Sequence, residues 1–382
     1  MKILIRATLA VAAWLLAATN GLAAEPIKIG VVLSISGPVA FMGTTQLNAA
    51  EAFVKRVNAE GGVLGRPLQL VTYDDEADPA KGHTFAKRLI ENDKVDFIIG
   101  SSITGSSMSM IPLAEQAGMP LIALGGGSII VEPTRKWVFK SNHPDRMGID
   151  KIFEDMKKRG ISKIAVVAEV SGMGKSFLKS CEEEAPKYNL TLAQIENYGV
   201  KDMDVTAQLT RVKSNPAVQA VFVVAVGQGA VVVTKNYRQL GITVPIYYSH
   251  SIASDEFIHL AGPASEGVRI PSAVGLMGDR LPANDPQKPV VTAYRKAYLA
   301  LKPNADPDTF GAHMYDAISL AANAMKQVGS TDKTKVRDAL EGTKNFIGVN
   351  GVFNMSPTDH NGLSLAGFRM FEVKGGKWVF LN

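Results

Sequence analysis

Gly100-Ser101-Ser102-Ile103-Thr104-Gly105-Ser106-Ser107 carries five hydroxyls between the end of one apolar run and the start of a helical pattern. A helix N-terminus presents unpaired N–H groups and about half a positive charge. With hydroxyls added, Ser102 and Thr104 foremost, the stretch suits a carboxylate or other small anion. N-capping by Ser106 or Ser107 is the structural alternative for the same residues. A second stretch, Leu124-Gly125-Gly126-Gly127-Ser128, lacks side chains where a backbone must come close to a ligand, or is a simple turn.

Ser171-Gly172-Met173-Gly174-Lys175-Ser176 resembles a nucleotide phosphate loop in context, but that motif needs Gly five residues before Gly174, and Glu169 stands there. Asp74-Asp75-Glu76, just before Pro79, reads as loop structure rather than a metal cluster. There is no Gly-x-Ser-x-Gly elbow, no His-Glu-x-x-His and no paired-cysteine pattern. The histidines are dispersed, and His83, His143, His259, His313 and His360 read as surface or capping residues. His250 differs, because it follows a predicted strand at 246–248 into a loop. With no nucleophile–base pair and no metal set, the residues predict a binding protein, not an enzyme, with no cofactor and no metal.

A chain of 382 residues suits two or three domains. Hydrophobic residues at 46% and charged residues at 20% exclude wholesale disorder. The net charge of +5 is interspersed, with no basic run longer than Lys157-Lys158-Arg159, which argues against a nucleic-acid partner. Cys181 is alone and cannot form an intramolecular disulfide. The first 24 residues have Lys2 and Arg6, then an uncharged, largely apolar run of twelve, then Gly21-Leu22-Ala23-Ala24. That order is a secretory signal peptide. Twelve residues span about 18 Å as helix, short of a ~30 Å hydrocarbon core. No Cys follows the cleavage site, so lipid anchoring there is excluded, and the expected location is a periplasm.

Elements that would position these loops alternate along the chain. Apolar runs at 27–33, 68–73, 97–99 and 121–124 read as strands, with helical patterns at 43–59, 79–92 and 108–117 between them. The alternation restarts with helices at 146–159, 175–187, 205–214 and 228–240 and strands at 163–168, 191–195, 220–224 and 246–248. Two βαβαβαβ units predict two Rossmann-like, doubly wound α/β lobes. Two long helices and a shorter one follow, and the aromatic ending at 368–371 and 378–380 suits late strands. Ligands of open α/β sheets lie beyond the carboxyl ends of the strands. Loops 34–43, 100–107, 124–128, 169–174, 225–229 and 249–254 are therefore expected to face one cleft.

The order of motifs resembles the periplasmic branched-chain amino acid (Leu/Ile/Val) binding proteins of ABC transporters, which are type I periplasmic binding proteins. The resemblance rests on Ile27-Lys-Ile-Gly-Val, Ser36-Gly37-Pro38, Asn58-Ala-Glu-Gly-Gly-Val-Leu-Gly-Arg-Pro67, Tyr73-Asp74-Asp75 with Asp78-Pro79, Ile99-Gly100 and Ala264-Ser-Glu-Gly267. It implies two lobes joined by three hinge crossovers near residues 139–143, 270–274 and 347–351. Lobe 1 would take residues 25–142 and 273–350, and lobe 2 residues 143–272 and 351–382. It implies a monomer that captures a small ligand by lobe closure and delivers it to an inner-membrane ABC permease. A periplasmic ligand sensor with the same fold is the alternative role.

The family's pocket carries over in part. By resemblance, Thr104 and Gly125, Gly126 and Gly127 would hold a ligand carboxylate. His250 stands where the family has an acidic residue for an α-ammonium group. Met42, Met173 and Val226 stand where it has aromatic walls. A buried ammonium without a carboxylate is costly, whereas methionine and valine suit an apolar or aromatic body. The expected ligand is a carboxylic acid with such a body; an aliphatic, branched-chain amino acid is the alternative.

Overall fold

The structure, a computed structural model, describes residues 25–381. The predicted signal peptide falls at residues 1–24, outside the described residues. The first sheet contains β1 (Ile27–Leu33), β2 (Leu68–Asp74), β3 (Phe97–Gly100), β4 (Leu121–Ala123) and β5 (Val138–Lys140). All its neighbours pair in parallel, in the order β2-β1-β3-β4-β5. Parallel pairing requires crossovers, and α1 (Ala40–Ala59), α2 (Pro79–Glu91) and α3 (Thr104–Ala117) supply them. Strand β1 shows why both sheet faces are covered. Ile29, Val31 and Leu33 enter one buried cluster, and Val32 enters another on the opposite face.

The chain then enters a second sheet through α4 (Asp145–Lys158). It runs β6 (Lys163–Glu169), α5 (Gly172–Glu184), β7 (Thr191–Tyr198), α6 (Thr206–Lys213), β8 (Ala220–Val224), α7 (Gly227–Gln239), β9 (Ile246–Tyr248), α8 (Asp255–Ala261) and β10 (Arg269–Ala273). Helices α9 (Lys288–Leu301), α10 (Thr309–Val328) and α11 (Lys333–Glu341) return to the first sheet's core, where Tyr294, Ile318 and Leu340 join β1 residues. A short hairpin, β11 (Phe346–Ile347) and β12 (Val352–Phe353), leads back to β13 (Phe368–Lys374) and β14 (Lys377–Phe380). These complete the second sheet in the order β14-β13-β10-β9-β8-β6-β7, with β13 antiparallel to both its neighbours. The result is an α/β protein of two doubly wound sheets. Among the described residues no helix is long and apolar enough to cross a membrane.

Polar side chains pin the ends of the elements. Asp78 accepts from Ala80 N–H at the start of α2, with Pro79 in the first turn. Asp308 does the same for Gly311 at α10, and α3 ends on left-handed Gly118. The return passage through residues 348–350 is held by Asp316 of α10. Its buried carboxylate accepts from Val349 N–H, Asn350 N–H and Asn350 Nδ2, each at 2.8 Å. Asp316→Ala would leave these donors unpaired in a buried site, and should cost about 3 kcal/mol or more. A urea midpoint within error of the unmodified protein's would show that the passage needs no such anchor.

Candidate ligand-binding cleft

In the first sheet the strand order reverses between β1 and β3, and in the second between β6 and β8. Such switch points leave a crevice at the carboxyl ends of the strands. The loops after these four strands converge on one cavity of about 300 Å³, lined by Pro38, Ser102, Glu169 and Val226 among others. The two walls already touch. A Cβ built on Gly172 would lie 3.1 Å from Gly105 Cα, and one on Gly227 would lie 2.7 Å from the Pro38 carbonyl.

Most of the hydroxyls in the loop after β3 turn inward. Ser101 Oγ donates to Asp75 at 2.5 Å, and Ser107 Oγ donates to the Ser101 carbonyl at 3.1 Å. Ser102 lines the cavity, but its hydroxyl donates to Gln46 Oε1 at 2.6 Å and accepts from Ser34 N–H at 3.0 Å. Its oxygen is engaged in holding the loop. Neither Ser106 nor Ser107 caps the helix, because α3 starts earlier, at Thr104, with Ile103 as an N-cap that makes no side-chain bond. The N–H groups of Thr104 and Gly105 consequently have no hydrogen-bond partner among the described residues, and both residues line the cavity. Thr104 Oγ1 accepts from Gly127 N–H at 3.0 Å, which leaves its own proton available.

The triple glycine is a close approach. A Cβ on Gly125 would lie 2.7 Å from Thr104 N, and one on Gly127 would lie 2.5 Å from Thr104 Cγ2. Gly126 alone of the three lines the cavity; Gly125 and Gly127 act from behind it. Asp75 is buried under the same loop and also accepts from Ser34 Oγ at 2.6 Å, so the acidic stretch serves loop structure.

Apolar side chains make up most of the wall. Met42 packs with Val39 and Phe310 from the first lobe side, and Met173, Phe177 and Val226 face them from the second. His250 lies in the cavity wall, 7% exposed, with its ring 6.0 Å from Phe177 and 5.4 Å from Phe368. Burial, and then the charge of Lys140, push its pKa down to about 3, so it is a neutral imidazole. His143 and His313 are not surface residues. Both are buried, His143 stacks 4.1 Å from Phe368, and His313 lines the cavity edge-on to Phe310. Burial holds both pKa values well below the usual histidine range. His360 is buried too, bonded to Glu341 at 3.1 Å.

Asn142, Glu169, Phe177, Phe310 and His313 line the cavity without having been singled out for it by sequence. Glu169 carried a signal, as a lone acid ending an apolar strand. Its carboxyl accepts from Ser171 Oγ at 2.7 Å and Val226 N–H at 3.3 Å, while burial raises its pKa. The phenylalanines carried none, because each reads as an ordinary apolar residue of a helix. Among the described residues no cluster of His, Cys, Asp and Glu is suited to a metal ion.

The sequence profile of the periplasmic binding protein family matches residues 26–377. A leucine-, isoleucine-, valine-, threonine- and alanine-binding protein of Pseudomonas aeruginosa is 26% identical over 326 residues, covering 85% of this chain and 84% of its own. An extracellular ligand-binding receptor of Rhodopseudomonas palustris has a TM-score of 0.87 at 30% identity, covering 94% of this chain and 100% of that one. An ABC transporter solute-binding protein from R. palustris, solved with benzoate, has a TM-score of 0.82 at 23% identity, covering 94% and 96%. With two doubly wound sheets whose switch-point loops share one cavity, the chain belongs to the periplasmic binding proteins, in the type I branched-chain amino acid group, and is a binding protein rather than an enzyme.

Proposed function

We propose that the chain is the periplasmic solute-binding component of an ABC importer, and that it closes two lobes around a small carboxylic acid with an apolar or aromatic body. The lobes would comprise residues 25–142 with 273–350, and 143–272 with 351–382, and the monomer would hand its ligand to an inner-membrane permease. The observation that carries the reading is the free donor set of Thr104 N–H, Gly105 N–H and the Thr104 hydroxyl, placed in a cavity walled mostly by apolar side chains. Donors at a helix start favour a carboxylate, and the surrounding methionine, valine and phenylalanine favour its apolar body. A protein of the same fold solved with benzoate is consistent with that class.

An aliphatic amino acid is the second reading, and Glu169 favours it, since an acid in the cavity wall is a possible partner for an ammonium group. Against it, the Glu169 carboxyl already has two intramolecular donors and its burial favours the neutral form.

Thr104→Val removes the hydroxyl and keeps the shape. It should weaken benzoate or a hydroxycinnamate by about 1.5–3 kcal/mol, the range for hydrogen bonds to charged groups, with an unchanged circular dichroism spectrum. Unchanged affinity in a folded variant would remove the carboxylate site from Thr104.

A further inference from the structure

We infer that Lys140 is the hidden counter-charge of the cleft, so that capture of a carboxylate draws a proton from solvent onto its amine. The inference rests on the carboxylate reading above. Lys140 ends β5 and is 0% exposed. Its Nζ donates to the Gly125 carbonyl and, at 2.5 Å, to Asn142 Oδ1. Among the described residues it forms no ion pair, and both side-chain hydrogen-bond acceptors of this buried amine are neutral.

The Gly125–Gly126 peptide links this amine to the cavity. It is trans, so its N–H points away from the carbonyl that Lys140 holds. That N–H belongs to Gly126, which lines the cavity and has no hydrogen-bond partner among the described residues. An ammonium group on the carbonyl polarises the peptide and strengthens the N–H as a donor. Asn142, also in the cavity wall, is fixed in the same way, with Oδ1 on Lys140 and Nδ2 on the Leu124 carbonyl at 3.0 Å.

Charged and titratable groups face the amine from several elements. Asp145, at the start of α4, acts on Lys140 from beyond ion-pair distance, and its Oδ1 is engaged by Ser128 and Arg146 N–H groups. His143, His250 after β9 and His313 of α10 are held neutral by burial. His360, whose carbonyl accepts from Lys140 N–H, has its ring bonded to Glu341. Burial lowers the Lys140 pKa to about 7, opposed by Asp145. A bound anion favours the charged form and raises it. The unliganded amine is therefore charged below about pH 7 and neutral above it, whereas the liganded one stays charged to higher pH. Affinity is then flat on the acid side and falls, by up to about tenfold per pH unit, as pH rises above that value.

The test is calorimetry of the mature wild-type chain with benzoate at about pH 8, in phosphate and in Tris, which differ in ionisation enthalpy. The expected result is uptake of more than about half a proton per ligand bound. Lys140→Arg, permanently charged, should keep affinity within a few-fold and abolish the uptake. Lys140→Met should abolish it and weaken benzoate by about tenfold or more. Benzoate binding with no buffer dependence, or uptake that persists in Lys140→Arg, would overturn the role of Lys140 and leave the carboxylate reading standing. If neither benzoate nor any other carboxylate binds the wild-type protein, both fall together.

Discussion

Gly172→Val is expected to weaken ligand binding at least about 100-fold, a loss of ~2.7 kcal/mol or more, while leaving both lobes folded. Gly172 is the first residue of α5, and a Cβ there would meet Gly105 Cα and N at 3.1 Å. Both contacts are backbone of the opposite wall, which cannot rotate aside. Valine's branched methyls reach further than the Cβ alone, so the lobes would stop short of the closed position. The ligand would keep the donors at Thr104 and lose Met173, Phe177 and Val226. Domain closure of this kind is a rigid-body motion about a few hinge residues. Small-angle scattering of the wild-type protein should therefore show a smaller radius of gyration with ligand, and scattering of the variant should not change. A variant that binds and compacts like the wild type would show that the Gly105–Gly172 contact does not limit closure.

His250→Glu is the second large effect. The side chain lies 7% exposed beside Phe177 and Phe368, and its Nε2 is 3.7 Å from where a Cβ on Gly126 would lie. A carboxylate there places a negative charge beside the donors proposed for the ligand's own carboxylate. It would repel an anion and compete for the charge of Lys140, at a cost expected to exceed about 100-fold for benzoate. Leucine should move the other way, since the new carboxylate supplies a counter-charge for an ammonium group. Calorimetry with both ligands separates the outcomes. Equal losses for leucine and benzoate would make His250 a packing residue only.

Much of the fold was legible because its signals are local. β1 is an apolar run bounded by Pro26 and Ser36-Gly37-Pro38, and any strand buried on both faces reads that way. The late run at 368–371 could be assigned to a strand by its aromatic content, although Arg369 interrupts it. The start of α3 was less legible. The helical pattern suggests residue 108, but the helix begins at Thr104, because the serines there turn to Asp75, Gln46 and their own backbone instead of to solvent. The cleft was legible where a loop's chemistry is its own, as at Thr104 and Gly126. It was not where two distant segments make the site together. His313 and Phe310 look like ordinary residues of a long helix, and only the second lobe turns them into a wall. Glu169 stood in plain view as a mismatch to a phosphate loop, and its place beside Ser171 and Val226 depends on β8 lying next to β6.

The proposed ligand is a carboxylate on an apolar body. A thermal-shift panel of the mature protein tests it most directly, with benzoate, hydroxybenzoates and hydroxycinnamates set against their amides and against leucine, isoleucine and valine. A ligand at ~100 times its dissociation constant adds about 2.7 kcal/mol to the native state, enough to raise the melting temperature by several degrees. At least one aromatic acid should stabilise the protein while its amide does not. Tight binding of leucine, with every aromatic acid silent, would contradict the account and make this an amino acid carrier with Glu169 as the ammonium partner.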